Sequence, residues 1–401
     1  MNILYLSPYF WPEEIGSAPY CTKLAEHLAK IGHTLDVRAF RPHYPNPSVY
    51  LDWADGSRDR EMLGSIRIRR TRVSPRGSGG IKERLKNDCR LLFNLLKEVV
   101  KYPKVKPDVI IAYVPSIIAV YGAMFLKYYA GVPLYLIVHD IESGLAGSVG
   151  IAKNGLLLKA MRLVERFALN SADLVTALTD EMAQELRIMG CRQPIDVIPI
   201  WTDPFEELPF PSFSRPVVTY SGNFGKKQNL DQLIGPMKLL DVRRPDIRVV
   251  LRGDGSEKER IRSIVLDELK LKNTTFEGLA PASRFGQTLQ AAHIHLVPQA
   301  PSTADFAIPS KIVSIMAAGR PFICISEPNS SLDRLVTKTA AGLRVEPGNE
   351  DALFEAIDKL TCDPDLATSL GRNGRSYVSN HLSAERNLAK FVNNIDFLTG
   401  K

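Results

Sequence analysis

Apolar runs of strand length alternate along the chain with amphipathic stretches of helix length. This alternation predicts parallel sheets whose strands are connected by crossover helices. The first half holds seven strand-like runs: NILYLS, LDVRAF, IRIRRT, DVIIAYV, PLYLIVHD, ADLVTAL and DVIPI. The second half holds six: PVVTYSG, IRVVLRG, NTTFEG, HIHLVP, PFICIS and GLRVEP. The pattern therefore predicts an α/β protein with two sheets in succession.

A proline-rich segment separates the two series. Six prolines lie from position 194 to position 216, and proline disfavours both helix and strand. The length of 401 residues also favours division, because single cores stop growing near roughly 250 to 300 residues. We predict one domain at 1–200, a second at 201–380, and a C-terminal helix at 381–401 that packs back on the first domain.

One apolar run raises the question of a membrane span. Val109 to Leu126 contains 18 uncharged, mostly apolar residues, which is about the minimum length for a span. Pro115 and Ser116 divide this run, so we interpret it as a buried strand followed by a packed helix. The first residues lack the pattern of an export signal, and the five cysteines are scattered without a Cys-x-x-Cys pair. These features predict a cytoplasmic protein without disulfides or structural zinc.

The formal charge of +7 is distributed unevenly. Met62–Lys106 holds 13 basic residues against three acidic ones, whereas residues 201–401 are nearly balanced. A nucleic-acid site is one interpretation, but the segment has no recognisable binding motif and few aromatic residues. Its RLLFNLLKEVVKY stretch, flanked by cations, fits a helix lying on anionic lipid better. We therefore predict association with an anionic membrane surface and no nucleic-acid partner.

Candidate chemistry is concentrated in the loops that follow strands, because open α/β sheets bind ligands at the carboxyl ends of their strands. After the first strand, Gly16 and Ser17 precede a helix whose N-terminal N–H groups suit a phosphate, although an ordinary strand-to-helix turn fits equally well. The first strand of the second series ends in SGNFGKKQNL, which brings Lys226 and Lys227 to such an edge. The Walker spacing is absent from this loop.

Two later loops add further polar and basic residues. Arg252 and Gly253 end the next strand, in LRGDG. In PSKIVSIMAAGRP, Ser310 and Lys311 stand at the predicted start of a helix, which Ser310 could also cap. A lysine in the first turn of a helix opposes the helix dipole and therefore needs an anionic partner. Together with the two earlier lysines, Arg252 and Lys311 would form a clamp for a diphosphate.

The sequence resembles the retaining GT-B glycosyltransferases of family four, especially the colanic-acid and capsule-type fucosyl- or aminosugar transferases, over nearly the whole chain. The resemblance rests on LYLSPYFWPEEIGSAPY, VHDIES, VIPIWTD, SGNFGKKQNL, LRGDG and PSKIVSIMAAGRP. It implies two Rossmann-like domains facing across a cleft, an N-terminal acceptor domain and a C-terminal nucleotide-sugar donor domain. It also implies transfer from a UDP- or GDP-sugar to a lipid-linked saccharide, without a metal or other cofactor, by a peripheral enzyme at the inner face of the plasma membrane.

The resemblance assigns most candidate residues to the donor. Gly16 and Ser17 would contact the donor diphosphate, while Lys226 and Lys311 would neutralise charge on the leaving group. Further donor contacts would come from Asn223, Lys227, Arg252, Gly253, Glu277, Ser310 and Ser314.

Other residues are assigned to the transferred sugar and the acceptor. His139 matches a histidine that relatives place beside the transferred sugar, and Asp140 and Glu142 would orient the acceptor or this histidine. Two positions depart from the family pattern. Ser314 stands where many relatives have a glutamate that holds the ribose, and Asn223 stands where they often have an arginine.

Two alternative functions remain open at this point. A nucleotide-sugar 2-epimerase on the same fold would need acid and base carboxylates around the donor sugar, and no such set is identifiable. A non-catalytic sugar-nucleotide-binding assembly subunit is kept open by Ser314. The single Asp-x-Asp, Asp363-Pro364-Asp365, is interpreted as the start of a helix rather than as a metal site.

Overall fold

The computed structural model describes residues 1–14, 16–43, 47–73, 81–101, 106–114, 117–141, 155–300 and 310–400. The chain forms two units, one of Met1–Pro199 with the segment from Asn387 onward, and one of Ile200–Arg386. Each unit is built around its own largely parallel sheet. This is the α/β architecture with two successive sheets that the alternating pattern predicts, and it has the two Rossmann-like domains that the resemblance implies.

The sheet of the first unit has eight strands among the described residues, in the order β3-β4-β2-β1-β5-β6-β7-β8. The strands are β1 Asn2–Leu6, β2 Thr34–Phe40, β3 Arg60–Leu63, β4 Ile66–Thr71, β5 Val109–Val114, β6 Leu134–Val138, β7 Leu174–Ala177 and β8 Ile195–Val197. Only β3 runs antiparallel to its neighbour in this described sheet. The strand order reverses between β1 and β5, and ligands of open α/β sheets bind at such a reversal.

Strand β3 is absent from the sequence prediction. Its residues are alternately exposed and half-buried, so they form no apolar run. Gly64, at φ 58°, makes the tight turn that leads from β3 into β4. A short, polar edge strand buries too little apolar surface to be visible in a hydrophobicity pattern.

The described helices of the first unit agree with the predicted crossovers. They are α1 Ala18–Lys30, α2 Ile81–Lys101, α3 Ile117–Ala130, α4 Gly155–Ser171 and α5 Asp180–Ile188. The 18-residue apolar run is divided between β5 and α3, as predicted. No helix in the described part of the chain combines the length and apolar character needed to cross a bilayer.

The sheet of the second unit has six strands among the described residues, all parallel, in the order β11-β10-β9-β12-β13-β14. They are β9 Val217–Asn223, β10 Arg248–Asp254, β11 Thr274–Glu277, β12 Ile294–Pro298, β13 Phe322–Ile325 and β14 Gly342–Val345. The helices are α6 Ile234–Arg243, α7 Lys258–Arg262, α8 Phe285–Gln290, α9 Ser310–Ala317, α10 Ser331–Thr339, α11 Glu350–Cys362 and α12 Pro364–His381. All six predicted strand runs are confirmed.

The last helix, α13 at Ala384–Thr399, returns the chain to the first unit. Its Phe391 and Ile395 are fully buried. The Asn394 side-chain amide donates hydrogen bonds to the Tyr135 hydroxyl, 3.0 Å away, and to an Asp196 carboxylate oxygen, 2.8 Å away. Apolar burial and these bonds together attach the end of the chain to β6 and β8, which confirms the predicted return of the C-terminal helix.

The proline-rich segment after β8 is held by arginines of the second unit. The buried Arg320 donates hydrogen bonds to the carbonyl oxygens of Leu208 and Pro209, 3.2 and 3.0 Å away. Arg375 donates to the Phe205 carbonyl oxygen at 2.7 Å. These bonds satisfy backbone acceptors that have no partners in a helix or strand.

Candidate functional site

In the second unit, the carboxyl ends of β9 and β10 approach each other very closely. Gly253 has a φ of 137°, and a Cβ atom added there would lie 1.8 Å from the Gly222 carbonyl oxygen. Only glycine avoids this clash, because the obstacle is backbone rather than a flexible side chain. The predicted glycine at 253 therefore has a structural reason, since it allows the two strand ends to sit side by side in the register Gly253 to Gly222.

Lys311 extends from α9 toward the end of β9. Its Nζ lies 4.6 Å from the centre of the Tyr220 ring and 3.5 Å from the position a Cβ would take at Gly222. The Lys311 side chain as a whole is half-buried, but Nζ itself is almost fully buried and has no hydrogen-bond partner among the described residues. Among the described residues, this buried ammonium has a ring face on one side and no carboxylate paired with it.

Burial changes the acidity of this group. Desolvation lowers the pKa of Lys311 to about 7, because an ammonium loses its hydration when it is taken out of water. A buried charge is costly unless it is paired and hydrogen-bonded. An anion bound at the end of β9 would supply both and would favour the charged lysine. That Lys311 takes an anionic partner, as inferred from the helix dipole, stays a prediction.

Tyr220 is the residue of this site that the sequence prediction missed. Its hydroxyl donates a 2.6 Å hydrogen bond to the Asn223 carbonyl oxygen, and its ring meets the Phe224 ring edge to face, with centroids 5.6 Å apart. The tyrosine thereby fixes the turn after β9 and forms one wall beside Lys311. The sequence signal for Tyr220 was its position two residues before the glycine of the turn. Tyrosines are common in buried strands, so this position alone did not distinguish it from an ordinary core residue.

Lys226 belongs to the same loop and has a different environment. Residues Lys226–Gln228 form a 3₁₀ turn, and Asn229 follows in a left-handed conformation with φ 46°. Lys226 is exposed, so its ammonium can reach an incoming anion from solvent. Folding has not desolvated this group, whereas it has desolvated the ammonium of Lys311. The side chain of Lys227, also predicted as a donor contact, lies outside the described part of the structure.

Arg252 and Glu277 are paired with each other. They occupy matching positions on β10 and β11, and the Arg252 guanidinium forms an ion pair with the Glu277 carboxylate. Arg252 was predicted to belong to the clamp for the diphosphate. Its charge is therefore already compensated within the protein, whereas Lys311 has no ion-pair partner among the described residues.

The two serines of α9 lie one helical turn apart. Ser310 is exposed and Ser314 is half-buried, while Ile312, Val313 and Met316 bury the opposite face of the helix. Asn223 is exposed at the end of β9.

In the first unit, His139 follows β6 and is buried. Its backbone N–H donates to the Val114 carbonyl oxygen at 3.2 Å. The centroid of its ring lies 5.2 Å from that of Tyr113 and 6.2 Å from that of Tyr20. Burial lowers the pKa of His139 to about 4, so the imidazole is neutral at pH 7. Its Nε2 has no hydrogen-bond partner among the described residues.

The first turn of α1 lies beside this histidine. Tyr20 stands in that turn, which follows Gly16 and Ser17. Gly16 has a φ of 71°, and a Cβ added there would meet no atom within 4 Å. Ser17 is the N-cap residue but makes no side-chain capping hydrogen bond. Its hydroxyl therefore does not accept from the backbone N–H groups of this turn. The sequence prediction did not include Tyr20 or Tyr113, which form the aromatic surroundings of His139.

The remaining predicted residues divide into two cases. Asp140 follows His139 directly and is half-buried. Glu142 lies outside the described residues. Each unit thus brings its own predicted residues to the carboxyl edge of its sheet, namely His139 and Gly16 in one, and Lys311, Arg252 and Lys226 in the other.

The Asp-x-Asp motif and the cavity beside β3 and β4 contribute no residues to the sites at these strand ends. Asp363 caps α12 by accepting a 2.9 Å hydrogen bond from the Leu366 backbone N–H, as predicted. No group of three potential ligands that could hold a metal occurs among the residues that the structure describes. A cavity of about 340 Å³ follows the β3–β4 hairpin and is lined by Arg60, Glu61, Met62, Arg67, Ile68 and Arg69. It lies along these strands rather than at the carboxyl ends of the parallel sheet.

Comparison with known proteins defines the class to which this fold and these strand ends belong. A family model described as glycosyl transferase 4-like domain matches residues 16–201. A second model, glycosyl transferases group 1, matches residues 206–377. The two matches follow one another and together span most of the chain. The protein is a glycosyltransferase, and it belongs to the GT-B glycosyltransferases of the family-four type.

Relatives and solved structures agree with this assignment. The provisionally named colanic acid biosynthesis glycosyl transferase WcaI of Escherichia coli (strain K12) is 25% identical over 414 residues, covering 98% of this chain and 100% of the relative. Sucrose-phosphate synthase from Thermosynechococcus elongatus has a TM-score of 0.77 at 19% identity, covering 100% of this chain and 99% of the other. Anabaena HepE, solved in complex with UDP and glucose, has a TM-score of 0.70 at 17% identity, covering 99% of both chains. The structural likenesses establish the GT-B fold.

Proposed function

We propose that this glycosyltransferase moves a sugar from a UDP- or GDP-sugar to a lipid-linked saccharide, with retention of anomeric configuration, in the synthesis of a bacterial surface polysaccharide. The observation that carries the donor assignment is the buried Lys311 ammonium without a partner among the described residues, at the end of β9. The UDP and glucose bound in Anabaena HepE support a nucleoside diphosphate sugar as donor. The biosynthetic role named for WcaI supports a polysaccharide product.

Electrostatic stabilisation of the leaving group is the proposed basis of catalysis. As the sugar–phosphate bond breaks, negative charge develops on the β-phosphate, and positioned cations lower the barrier. Lys311 supplies a charge that is already desolvated, and Lys226 supplies one from the exposed turn. The departing phosphate can itself accept the proton of the acceptor hydroxyl. This chemistry requires no metal, and we propose that the transfer is metal-independent.

His139 is proposed to position the transferred sugar rather than to exchange a proton. A neutral imidazole has one N–H donor and one nitrogen acceptor, and a pKa of about 4 keeps His139 in this form at neutral pH. Its Nε2 can therefore make a hydrogen bond to a sugar hydroxyl. Asp140, which follows it, and Glu142 are proposed to orient the acceptor or this histidine. Gly16 and Ser17 would contribute backbone N–H groups to the diphosphate.

The decisive experiment combines a donor panel with two lysine variants. The wild-type protein is incubated with UDP- and GDP-sugars and a saccharide acceptor, and transfer, donor hydrolysis and epimerisation are measured. We expect transfer or slow hydrolysis with one donor and its loss in Lys311→Met. Lys338→Met is the matched control, because Lys338 also lies over a tyrosine ring, Tyr377 at 5.7 Å, but is exposed.

The same panel distinguishes the alternative functions. Accumulation of an epimerised nucleotide sugar would replace the proposal by a 2-epimerase. Donor binding without turnover, across the whole panel and in the presence of acceptor membranes, would replace it by a non-catalytic assembly subunit. Equal activity of Lys311→Met and Lys338→Met would remove Lys311 from the donor site.

A lipid-linked acceptor would require the enzyme to act at a membrane surface, and we infer that it works from the cytoplasm at the inner face of the plasma membrane. The basic character of Met62–Lys106 supports this inference. Purified protein should sediment with anionic liposomes at low salt and remain in the supernatant with zwitterionic liposomes. Absence of binding to anionic liposomes would leave only a freely diffusing saccharide as acceptor.

A further inference from the structure

Helix α3 turns aromatic side chains outward. Phe125, Tyr128 and Tyr129 are 46%, 70% and 60% exposed. They lie three and four positions apart, so they share one face of the helix. A surface helix of a globular protein normally directs its apolar stripe toward the core and polar residues outward. The outward face of α3 has the opposite composition.

Helix α4 shows the same inversion. Leu163, Val164 and Phe167 are exposed, whereas Glu165 between them is buried, at 4% exposure. The exposed positions that alternate with these apolar residues are cationic: Lys159, Arg162 and Arg166. The described outer face of α4 therefore combines apolar and basic side chains and shows no exposed acid.

The two helices form one continuous surface. The Tyr121 ring stacks on the Phe167 ring with centroids 6.1 Å apart and an interplanar angle of 11°. The Tyr121 hydroxyl donates a 3.0 Å hydrogen bond to the Val164 carbonyl oxygen. On the other side of α3, the absence of a side chain at Gly122 lets α2 approach, since a Cβ there would lie 3.0 Å from a Leu95 methyl group.

Helix α2 extends this surface with the same composition. Phe93 is 58% exposed, and the Lys97 ammonium lies 4.3 Å from the centre of its ring. Lys86 is also exposed. Among the described side chains of α2, α3 and α4, no acidic residue is exposed. We call the resulting surface the aromatic face. It consists of Phe93, Phe125, Tyr128, Tyr129, Leu163, Val164 and Phe167.

We propose that the aromatic face seats in the interfacial region of an anionic lipid bilayer. Aromatic and aliphatic side chains partition into this region, while adjacent lysines and arginines interact with anionic headgroups. The proposal rests on the membrane association in the proposed function and names the surface that makes it. It adds α3 and α4 to the basic α2 segment on which the sequence prediction relied.

Charge makes a second copy of the chain a poor occupant. A twofold interface is self-complementary, so it brings the same patch of each subunit together. Docking the aromatic face on itself would set Lys97, Arg162 and Arg166 of one copy near the same cations of the other, without exposed acids among the described side chains to compensate them. Like charges in such a contact repel each other. An anionic surface removes this conflict.

The test compares vesicle binding by two variants with matched chemistry. Phe125→Ser/Leu163→Ser/Phe167→Ser removes apolar groups from the aromatic face. Ile188→Ser/Val242→Ser/Phe397→Ser removes apolar groups elsewhere that are even more exposed, at 71%, 80% and 73%. We expect the first variant to bind vesicles of phosphatidylcholine and phosphatidylglycerol at least about tenfold more weakly than wild type, since each buried apolar side chain contributes to partitioning. The control should bind as wild type does.

A second variant separates the charge contribution. Lys159→Gln/Arg162→Gln/Arg166→Gln should lose binding to the anionic vesicles while its circular dichroism spectrum and melting temperature stay close to wild type. Wild-type binding by both the serine and the glutamine variants would overturn the proposal. So would a wild-type dimer in light scattering that the serine substitutions convert to monomer, because a second copy would then be the occupant.

Measuring sugar transfer to a water-soluble saccharide acceptor, without detergent, tests the proposed function separately from membrane binding. Both variants should retain transfer to such an acceptor, because none of the substituted residues lies at a strand end that carries the donor site. Vesicle binding by wild type without transfer to any acceptor would refute the proposed function and leave the aromatic face standing. Transfer by wild type together with unchanged vesicle binding in the serine variant would support the proposed function and refute the role of the aromatic face.

Discussion

The two units share one architecture but differ at the carboxyl ends of their strands. In the second unit the strand ends carry cations, with Lys311 buried against Tyr220 and Lys226 exposed in the adjacent turn. In the first unit they carry a neutral histidine set among tyrosines. The parallel sheet therefore determines only where a ligand site lies. The side chains then decide whether a site suits an anion or the hydroxyl groups of a sugar.

The largest expected effect follows from removing the buried cation. Lys311→Ala should lower the rate of transfer by on the order of 10²-fold or more, the scale of one lost charge stabiliser. Lys226→Ala should also lower the rate on this scale if both ammonium groups meet the diphosphate. Steady-state transfer rates measure both variants, with Lys338→Met as the control. Wild-type turnover in both would refute the clamp.

The same position should show a trade-off between stability and function. Desolvation lowers the pKa of Lys311 to about 7 in the folded protein. Above that pH, the Lys311 side chain therefore holds its proton more tightly in the unfolded chain than in the folded protein. The unliganded fold should therefore gain stability as pH rises from about 7 toward the ordinary lysine pKa. Lys311→Met should remove this dependence and raise the free energy of unfolding at pH 7 by on the order of 1 kcal/mol. Urea unfolding across this pH range measures both effects.

The glycine that joins β9 and β10 should be intolerant of any side chain. Gly253→Ala places a Cβ 1.8 Å from the Gly222 carbonyl oxygen, so it should lower the free energy of unfolding by about 2 kcal/mol or more. Gly278→Ala is the control, because a Cβ there meets no atom within 4 Å. Equal stability of the two variants would mean that the ends of β9 and β10 can separate enough to accommodate a side chain at position 253.

A smaller effect is expected at the neutral strand end. His139→Ala should lower the transfer rate by about tenfold, the scale of one lost hydrogen bond, while the Kd for the nucleoside diphosphate stays close to wild type. His139→Asn, which keeps a donor and an acceptor, should recover part of the rate. A weakened Kd with an unchanged rate would give His139 a structural role instead.

The smallest effect is expected at Arg252. Because its guanidinium is paired with Glu277, Arg252→Ala should weaken donor binding by about fivefold or less, well below the effect at Lys311. Calorimetric titration of the nucleoside diphosphate tests this ranking. A loss as large as that of Lys311→Ala would show that Arg252 leaves Glu277 when the donor binds.

The strand positions could be predicted from the sequence because each buried parallel strand is a continuous apolar run, as in VIIAYV of β5. The exposed edge strand β3 has no such run and was missed. The pairing of Arg252 with Glu277 depends on the register of β10 and β11, which no local pattern contains. The burial of Lys311 depends on Tyr220, which lies far away in the chain. The inverted polarity of α4 likewise appears only when the neighbours of Glu165 are known.

We propose that the buried Lys311 ammonium becomes paired when the donor diphosphate binds. Titration of the nucleoside diphosphate by calorimetry between pH 7 and pH 9, in buffers of different ionisation enthalpy, measures this directly. The free protein has a Lys311 pKa of about 7, and a bound anion raises that pKa. Binding should therefore take up a proton, and Kd should rise by up to about tenfold per pH unit above 7. Lys311→Met should show weak binding without this dependence. A wild-type Kd that stays constant over this range would show that Lys311 does not pair with the diphosphate.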